Sequence, residues 1–397
     1  MPPSRGAEGG SGVGAFFTTT IGASFMKTLL LSTALIAAAL TVNTVAKADD
    51  RDDHRRDQDK LTVAVFGDWP YNQLLFDNAK LLVDSINSDP DVSLIIHVGD
   101  IHSGSMACTS ADILPPISGS NPSWNLHIYS FFQQFKEPLV YTPGDNEWTD
   151  CHKTKEFKSG APLKELAAVR SLFFSHPGHT LGKEDKEVLT QAPHFDPAFS
   201  TDQQYVENVM WEDSHVVFVT LNIPGSNNDT LAWTNGFTDP AHPTAQADEV
   251  ATRNAANSQW LDQAFDAAEH QHARAVVVAI QADMFDPAAL VAGGDGLDAY
   301  TPFVQHLANR AVHFGRPVLL LNGDSHLFEV DQPLANPASA TGQIHHTPPV
   351  PNLTRITVQG STNAPAEWLK LSIDAHKPGV FSWVNVPYCK DPLTSCQ

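Results

Sequence analysis

The sequence predicts an α/β protein in which two sheets pack together and helices cover their outer faces. Strand-like and helix-like segments alternate from residue 61 onward, as in sheets built from parallel strands. Three alternating apolar segments near the C-terminus predict further strands, at 353–358, 368–373 and 380–386. Four apolar runs end in a Gly-Asp pair, which places carboxylates at Asp68, Asp100, Asp145 and Asp324. Since α/β sheets assemble their sites at the carboxyl ends of strands, we expect these carboxylates to converge.

The first part of the chain predicts the order strand, helix, strand, helix, strand. Residues 61–66 form a buried strand pattern, and apolar residues at helical spacing follow it. Residues 92–98 are apolar on both faces, which is typical of a parallel strand. A helix is predicted over 122–135 and the third strand over 138–142.

The second part predicts an insertion and then more elements of the same kind. Residues 150–203 are rich in Lys, His, Pro and Gly and predict an insertion beside the third Gly-Asp pair. Residues 205–210 and 216–221 predict paired strands around a tight turn. A helix, a strand, a helix and a strand are then expected at 257–268, 275–280, 303–312 and 318–321.

The N-terminal segment predicts export. From Met26 the chain has one Lys, an apolar run to about Val45, and small residues around 46–48 that suit signal cleavage. A membrane anchor is the competing interpretation, but the run is shorter than the ~20 residues that span a bilayer, and a charged segment follows it. We therefore expect a secreted or periplasmic protein with no membrane attachment after cleavage.

Signal cleavage would leave one large acidic domain. We expect a leader and signal peptide at 1–48, a charged linker at 49–60, and a single domain at 61–397. The whole chain has 45 acidic and 24 basic side chains, a formal net charge of −21. Nucleic acid is therefore not expected as a partner, because its phosphate backbone would be repelled.

Four cysteines behind a secretory signal predict disulfides. Of the three possible pairings, the one in which both bonds join plausible loop neighbours is Cys108 with Cys151 and Cys389 with Cys396. The spacings are not those of a zinc ribbon, so we expect no zinc site from these cysteines.

Five motifs occur in an order that resembles a known family. They are Gly67-Asp68, Gly99-Asp100, Gly144-Asp145-Asn146-Glu147, the polar segment after 275–280, and Gly323-Asp324-Ser325-His326. This order is similar to that of the calcineurin-like metallophosphoesterases, which include purple acid phosphatases. The resemblance runs from about Leu61 to Val386 and implies a four-layer α/β/β/α sandwich with a two-metal site at one sheet edge.

The resemblance also implies a set of metal ligands. Asp68 falls on the first ligand of the family, Asp100 on the carboxylate that bridges both metals, and His326 on the final ligand. Oxygen donors occupy three positions where relatives have Asn or His ligands: Asp145, Gln281 (with Asp283 as an alternative) and Asp324. Pro70 and Ser103 stand where relatives have a His and, in purple acid phosphatases, a Tyr.

These replacements indicate a retuned metal site, because a decayed site would have collected apolar residues. Oxygen-rich sites select hard ions, so the expected cofactor is two divalent metal ions, with Mg²⁺, Mn²⁺ or Ca²⁺ favoured over Zn²⁺ or Fe. Because four carboxylates nearly cancel the charge of two such ions, we expect a neutral-to-alkaline pH optimum.

The implied function is an exported, metal-dependent phosphoesterase acting on a small phosphorylated substrate. Phosphomonoesters or phosphodiesters would be hydrolysed by a metal-bound hydroxide. Asn146 stands where relatives have the His that assists the leaving group, so His102 and His152 are the candidates to supply that proton. The alternative is a non-catalytic metal- or phospholigand-binding protein on the same fold. Both functions require the ligand side chains to converge on one centre.

Other side chains near these motifs have weaker predicted roles. Glu147 is expected to orient a neighbouring group rather than touch substrate. Aromatic residues near the motif loops could wall a pocket, although aromatic residues at strand ends usually belong to the core; they are Trp69, Tyr71, Trp124 and Trp148.

Overall fold

The computed structural model describes residues 60–108, 124–194, 204–237 and 240–396. The predicted signal peptide and nearly all of the charged linker lie outside these residues. Within the described ranges, none of the helices has the length and apolar character needed to cross a bilayer.

Twelve strands form two sheets in the described part of the chain. They are β1 (Lys60–Phe66), β2 (Leu94–His97), β3 (Leu139–Tyr141), β4 (Leu189–Thr190), β5 (Val209–Asp213), β6 (Val216–Thr220), β7 (Ala275–Ala279), β8 (Val318–Asn322), β9 (Glu329–Asp331), β10 (Leu353–Thr357), β11 (Ala366–Asp374) and β12 (Phe381–Cys389). The right-handed helices are Gln73–Asp77, Ala79–Asn87, Trp124–Phe132, Pro162–Phe173, Ala245–His270, Thr301–Phe314 and Ala340–Ile344.

The first sheet has the strand order β12-β11-β1-β2-β3. Strands β1, β2 and β3 are parallel, with Val65 opposite Ile96 and His97 opposite Tyr141. Strand β11 pairs antiparallel with both β1 and β12. The carboxyl ends of β1, β2 and β3 therefore meet at one edge of the sheet.

The second sheet has the order β4-β5-β6-β7-β8-β10-β9. Strands β6, β7, β8 and β10 are parallel, so their carboxyl ends also meet at one edge. Ser214 and His215 both have left-handed backbone (φ 49° and 58°) and form the turn between β5 and β6. Because the chain turns only at these two residues, β5 runs to Asp213 and begins at Val209, later than the predicted strand at 205–210.

Alternation of side chains along the strands builds a core of several layers. Between the sheets, Val65 and Ile96 share one buried cluster with Phe218 and Val277. On the outer faces, helices Ala79–Asn87 and Trp124–Phe132 cover the first sheet, and helices Ala245–His270 and Thr301–Phe314 cover the second. The predicted α/β fold with two packed sheets and outer helices is confirmed.

Both predicted disulfides are present. Cys108 bonds to Cys151, and Cys389 bonds to Cys396. The first of these joins the loop after β2 to the loop after β3. The predicted insertion contains the helix Pro162–Phe173 and strand β4, so part of it belongs to the second sheet.

Candidate metal centre

The four Gly-Asp carboxylates lie at the strand ends where the two sheets face each other. Asp68, Asp100 and Asp324 have left-handed backbone, with φ of 48°, 61° and 73°. Position 144 requires glycine because the backbone there lies against the Asp100 side chain. A Cβ atom on Gly144 would lie 2.0 Å from Asp100 Oδ1. Asp100, Asp145 and Asp324 line one open cavity of about 530 Å³, and Asp68 contacts two other residues of its lining, Tyr71 and His326.

Hydrogen-bond donors link these carboxylates to one another. The Tyr71 hydroxyl lies 2.9 Å from Asp68 Oδ1 and 2.6 Å from Asp100 Oδ2. The Gln281 amide nitrogen lies 3.3 Å from Asp100 Oδ2 and 3.0 Å from Asp145 Oδ1. Asp145 Oδ2 and Asp324 Oδ1 flank Gly225, each 2.8 Å from the position of a Cβ on that residue. The four predicted carboxylates therefore lie close together, and hydrogen-bond donors link three of them, Asp68, Asp100 and Asp145.

Burial and the repulsion of neighbouring carboxylates raise the pKa values of three of these groups, Asp100, Asp145 and Asp324. Burial is the largest cause for Asp100, Asp145 and Asp324, and neighbouring carboxylates add to it. The pKa of Glu147 is raised mainly by burial. Cations bound among these groups would offset the repulsion and favour the deprotonated carboxylates.

His326 is the one predicted imidazole that faces the cavity. Its Nε2 lies 3.4 Å from Asp68 Oδ1, and its side chain is 40% exposed. Burial lowers the pKa of this ring, but the charge of Asp68 and the hydrogen bond to it outweigh burial, so the net shift is upward. The ring also packs edge-on against Tyr71, with centroids 5.0 Å apart.

Gln281 points its amide nitrogen, not its oxygen, at the carboxylates. Its oxygen accepts a hydrogen bond from the Gly225 N–H at 2.5 Å. This is the orientation of a donor, whereas a metal ligand would present oxygen. The alternative ligand, Asp283, is held by Arg355 at 2.6 Å and by the Ser325 hydroxyl at 2.7 Å, so its charge is already offset.

The carboxylate oxygens suit hard cations by charge and donor type, and Asp68 Oδ2 is buried without a hydrogen bond. Asp100 Oδ2 accepts from three side chains, and these donors occupy the space between the carboxylates: Tyr71, Asn146 and Gln281. Within the described ranges, the one group of three ligand-type atoms that lie within 4.8 Å of one another is Cys108, Cys151 and Glu156. Two of those atoms are disulfide sulfurs, so that group is not a metal site. Cation binding through Asp100 Oδ2 would therefore displace the hydrogen bond from Tyr71 or Gln281.

The predicted proton donors lie outside the cavity. His102 is buried, burial lowers its pKa to about 4, and the cavity is lined instead by the next two residues, Ser103 and Gly104. His152 uses Nδ1 to accept the Thr234 N–H at 3.0 Å and does not line the cavity either. Asn146 does line it, and its Nδ2 donates to Asp100 Oδ2 at 2.9 Å.

Glu147 has the geometry expected of an orienting residue. Its Oε1 accepts from the backbone N–H groups of Asp100 (3.1 Å) and Gly144 (2.8 Å) and from the Tyr141 hydroxyl (2.6 Å). Of the four aromatic residues near the motifs, Tyr71 lines the cavity, whereas the three tryptophans belong to the buried core.

A left-handed turn at Gly225–Asp229 closes one side of the centre. Ser226, Asn227, Asn228 and Asp229 have φ between 51° and 59°, a strained conformation for side-chain-bearing residues. The Tyr300 hydroxyl donates to the Pro224 carbonyl at 2.9 Å, and the buried Arg253 donates to the Asn228 carbonyl at 3.1 Å. The run of Asn and Asp, which tolerate this conformation best, was the available sequence signal.

Sequence reasoning missed a charged group in the loop after β3. Asp150 is 1% exposed and pairs with Lys153 at 2.7 Å and with Lys155 at 3.0 Å. The Ser226 hydroxyl joins this group to Asp145, with 2.7 Å to Asp150 Oδ1 and 3.0 Å to Asp145 Oδ2. No spacing in the insertion marked these residues.

Comparison with known families gives one match to the sequence of this chain. Residues 61–256 match the calcineurin-like phosphoesterase family. Among solved structures, the chain is similar to GAP50, the anchor in the inner membrane complex of Plasmodium, at 11% identity and a TM-score of 0.38, over 84% of this chain and 90% of that chain. A likeness at this TM-score supports no inference about function. No curated protein matches the chain.

Proposed function

Since the chain belongs to the metallophosphoesterase superfamily through residues 61–256, we propose that it is an exported phosphoric ester hydrolase that depends on divalent cations. The observation that carries the proposal is that Asp100, Asp145, Asp324 and His326 line one open cavity while Asp68 contacts His326 from behind this lining. The family supports phosphoesterase chemistry in general, and the cation dependence rests on the excess of buried carboxylates.

The chain's own residues would bind the cations and hold them in place. The carboxylate oxygens of Asp68, Asp100, Asp145 and Asp324 suit Mg²⁺, Mn²⁺ or Ca²⁺, and His326 adds one imidazole nitrogen. When bound, the cations would supply positive charge to the phosphoryl oxygens and lower the pKa of a water molecule for attack on phosphorus.

Other side chains orient these ligands. Glu147 fixes the backbone that carries Asp100 and Asp145 through its bonds to the Asp100 and Gly144 N–H groups. Asn146 donates to Asp100 and limits the rotation of its carboxylate. The left-handed turn presents the Gly225 N–H to Gln281 and the Ser226 hydroxyl to Asp145.

Export is supported by the two disulfides, because such bonds persist in oxidising compartments. The test is the N-terminal sequence of the protein recovered outside the cytoplasm. A start near residue 49 would support cleavage after the signal, and a start at residue 1 would contradict it.

A second candidate is a non-catalytic protein that binds a cation or a phosphorylated ligand. The donor orientation of Gln281 favours it, as does the placement of His102 and His152 outside the cavity. Both candidates use the same side chains, so only turnover separates them.

The test is hydrolysis of p-nitrophenyl phosphate and bis(p-nitrophenyl) phosphate by the mature protein, stripped of metal and resupplied with Mg²⁺, Mn²⁺, Ca²⁺ or Zn²⁺. Asp100→Asn should reduce metal-restored turnover by at least about 100-fold, because it removes the carboxylate expected to bind both cations. Asp77→Asn, the same change at an exposed helix residue, is the matched control and should retain full turnover. Cation binding without turnover would support the second candidate.

A further inference from the structure

The cavity over the carboxylates carries one fixed positive charge. Among the described residues that line it, acidic side chains predominate: Asp100, Asp145, Asp283, Asp286, Asp295 and Asp324. Lys155 is the single Lys or Arg in this lining. An anionic substrate entering the cavity therefore meets Lys155 as the chain's main permanent source of attraction.

The Lys155 ammonium group is held at the edge of the carboxylate cluster. It pairs with the buried Asp150 Oδ2 at 3.0 Å, and 53% of the side chain stays exposed. A Cβ atom on Gly104 would lie 3.0 Å from Lys155 Nζ and 2.5 Å from Asn146 Oδ1, so both groups crowd the same backbone position. Asn146 in turn bonds to Asp100. The ammonium group is thus close to the predicted reaction site. Its contact with Asp150 uses one of its three N–H bonds, so the other N–H bonds can donate to a ligand in the cavity.

Burial lowers the pKa of Lys155, but the charges of Asp150 and Asp145 outweigh it and raise the pKa above the ordinary value. The side chain therefore stays charged throughout the range in which a phosphate ester ionises.

The loop that carries Lys155 is well anchored. The Cys108–Cys151 bond ties it to the loop after β2. Backbone hydrogen bonds from Lys153 N–H to the Asp150 carbonyl (2.7 Å) and from Glu156 N–H to the Lys153 carbonyl (3.1 Å) shape it. Binding through Lys155 would therefore require little ordering of the chain, which favours affinity.

Lys153 differs from Lys155 although both pair with Asp150. Its Nζ bonds to Asp150 Oδ1 and to the Ser226 hydroxyl, both at 2.7 Å, and its side chain is 18% exposed. These bonds turn Lys153 inward to connect two loops, whereas Lys155 faces the cavity.

We propose that Lys155 binds a phosphoryl oxygen of the substrate and makes the site prefer phosphomonoesters to phosphodiesters. The proposal rests on the proposed function and adds the substrate class. A phosphomonoester carries close to two negative charges at neutral pH, because its second pKa is about 6, whereas a diester carries one. A fixed ammonium group therefore favours the monoester, both through charge and through a charge-assisted hydrogen bond.

The test compares Lys155→Gln with Lys158→Gln, the same change at an exposed lysine of the same loop that does not line the cavity. The two esters share a leaving group: p-nitrophenyl phosphate and bis(p-nitrophenyl) phosphate. Lys155→Gln should raise KM for the monoester about tenfold or more, the size expected for loss of a charge-assisted hydrogen bond, and raise KM for the diester less than about threefold. Lys158→Gln should leave both values unchanged, and Lys155→Arg should retain most of the monoester preference. Equal changes for both esters, or no change, would overturn the proposal.

A binding measurement tests the role of Lys155 independently of whether the protein hydrolyses esters. Inorganic phosphate is titrated into the cation-loaded protein by calorimetry. Lys155→Gln should weaken phosphate binding about tenfold or more, and Lys158→Gln should not. If the wild-type protein hydrolyses neither ester but shows this difference in phosphate binding, hydrolysis fails and the binding role of Lys155 stands. If phosphate does not bind, or binds equally to both variants, the role of Lys155 is wrong.

Discussion

Tyr71 determines how the carboxylates can coexist at the sheet edge. Its hydroxyl has one hydrogen but lies 2.9 Å from Asp68 Oδ1 and 2.6 Å from Asp100 Oδ2, and Asn146 Nδ2 also donates toward it at 3.1 Å. The hydroxyl can donate that hydrogen to only one of the two oxygens, so it offsets the charge of one carboxylate at a time. Burial, together with the charges of neighbouring carboxylates, raises the pKa of Asp100, which favours its protonated form when no cation is bound. A proton on Asp100 reduces the negative charge of the cluster, as a bound cation would.

This arrangement predicts the pH dependence of stability. The pKa of Asp100 is raised above 3.8 in the folded protein, so the unfolded chain loses this proton at lower pH than the folded chain. At this group the folded state then binds more protons than the unfolded chain, so Asp100 should contribute a fall in the free energy of unfolding of the cation-free protein as pH rises above about 4. Asp145 and Asp324 shift in the same direction and should add to the fall.

Urea unfolding between pH 4 and pH 8, with and without saturating Mn²⁺, measures this effect. Saturating cation should flatten the fall, and Asp100→Asn should flatten it without cation. A cation-free wild type whose stability rises with pH relative to Asp100→Asn would contradict the assignment.

At the scale of elements, the loop after β3 is the part of the centre that depends most on a covalent bond. It carries Asp150 and Lys155, and the Cys108–Cys151 bond ties it to the loop that carries Ser103 and Gly104. Two walls of the cavity are therefore joined by one disulfide. The Cys389–Cys396 bond closes a much shorter loop at the C-terminus.

The two disulfides should differ in their contribution to stability. The residues of the first are 43 apart in sequence and those of the second are 7 apart. Loop-closure entropy then gives about 4 kcal/mol for the first and about 2.5 kcal/mol for the second. Cys108→Ser/Cys151→Ser should therefore lower Tm more than Cys389→Ser/Cys396→Ser in thermal unfolding. Phosphate binding should weaken in the first double variant alone, and an equal loss in both would show that the bond does not position Lys155.

At the scale of the whole molecule, the centre needs both sheets. The first sheet supplies Asp68, Asp100 and Asp145, and the second supplies Gln281 and Asp324. The family match ends at residue 256, before β7, while β11 and β12 return to complete the first sheet beside β1. The matched segment therefore lacks strands that both sheets need.

A fragment of residues 61–256 is expected not to fold. It would lack β7 to β10 of the second sheet and β11 and β12 of the first, which leaves one edge of β1 and one edge of β6 without a hydrogen-bonded neighbour. Soluble yield, near-ultraviolet circular dichroism and thermal unfolding of 61–256 and 61–397 measure this. We expect cooperative unfolding of the longer chain only, and a cooperative transition in the fragment would show that the first half is an independent domain.

The sequence alone determined the α/β fold, the two sheets, both disulfides and the positions of the four Gly-Asp carboxylates. These features depend on local patterns, since burial alternates along strands and loops begin where apolar runs end. The roles assigned to the site residues remain predictions. Helix Ala245–His270 begins well before the predicted 257–268. The prediction began late because the first turns of this helix carry no apolar residues at helical spacing.

Only the tertiary structure decided which atoms face the cavity. It placed His102 in the interior and Ser103 in the wall, turned the Gln281 nitrogen toward Asp145, set Tyr71 between two carboxylates and brought Lys155 to the rim. Each of these outcomes depends on partners distant in sequence, such as Gly225 for Gln281 and Cys108 for the Lys155 loop. A side chain's direction is set by the hydrogen bonds and packing that those partners offer, and residue spacing does not contain that information.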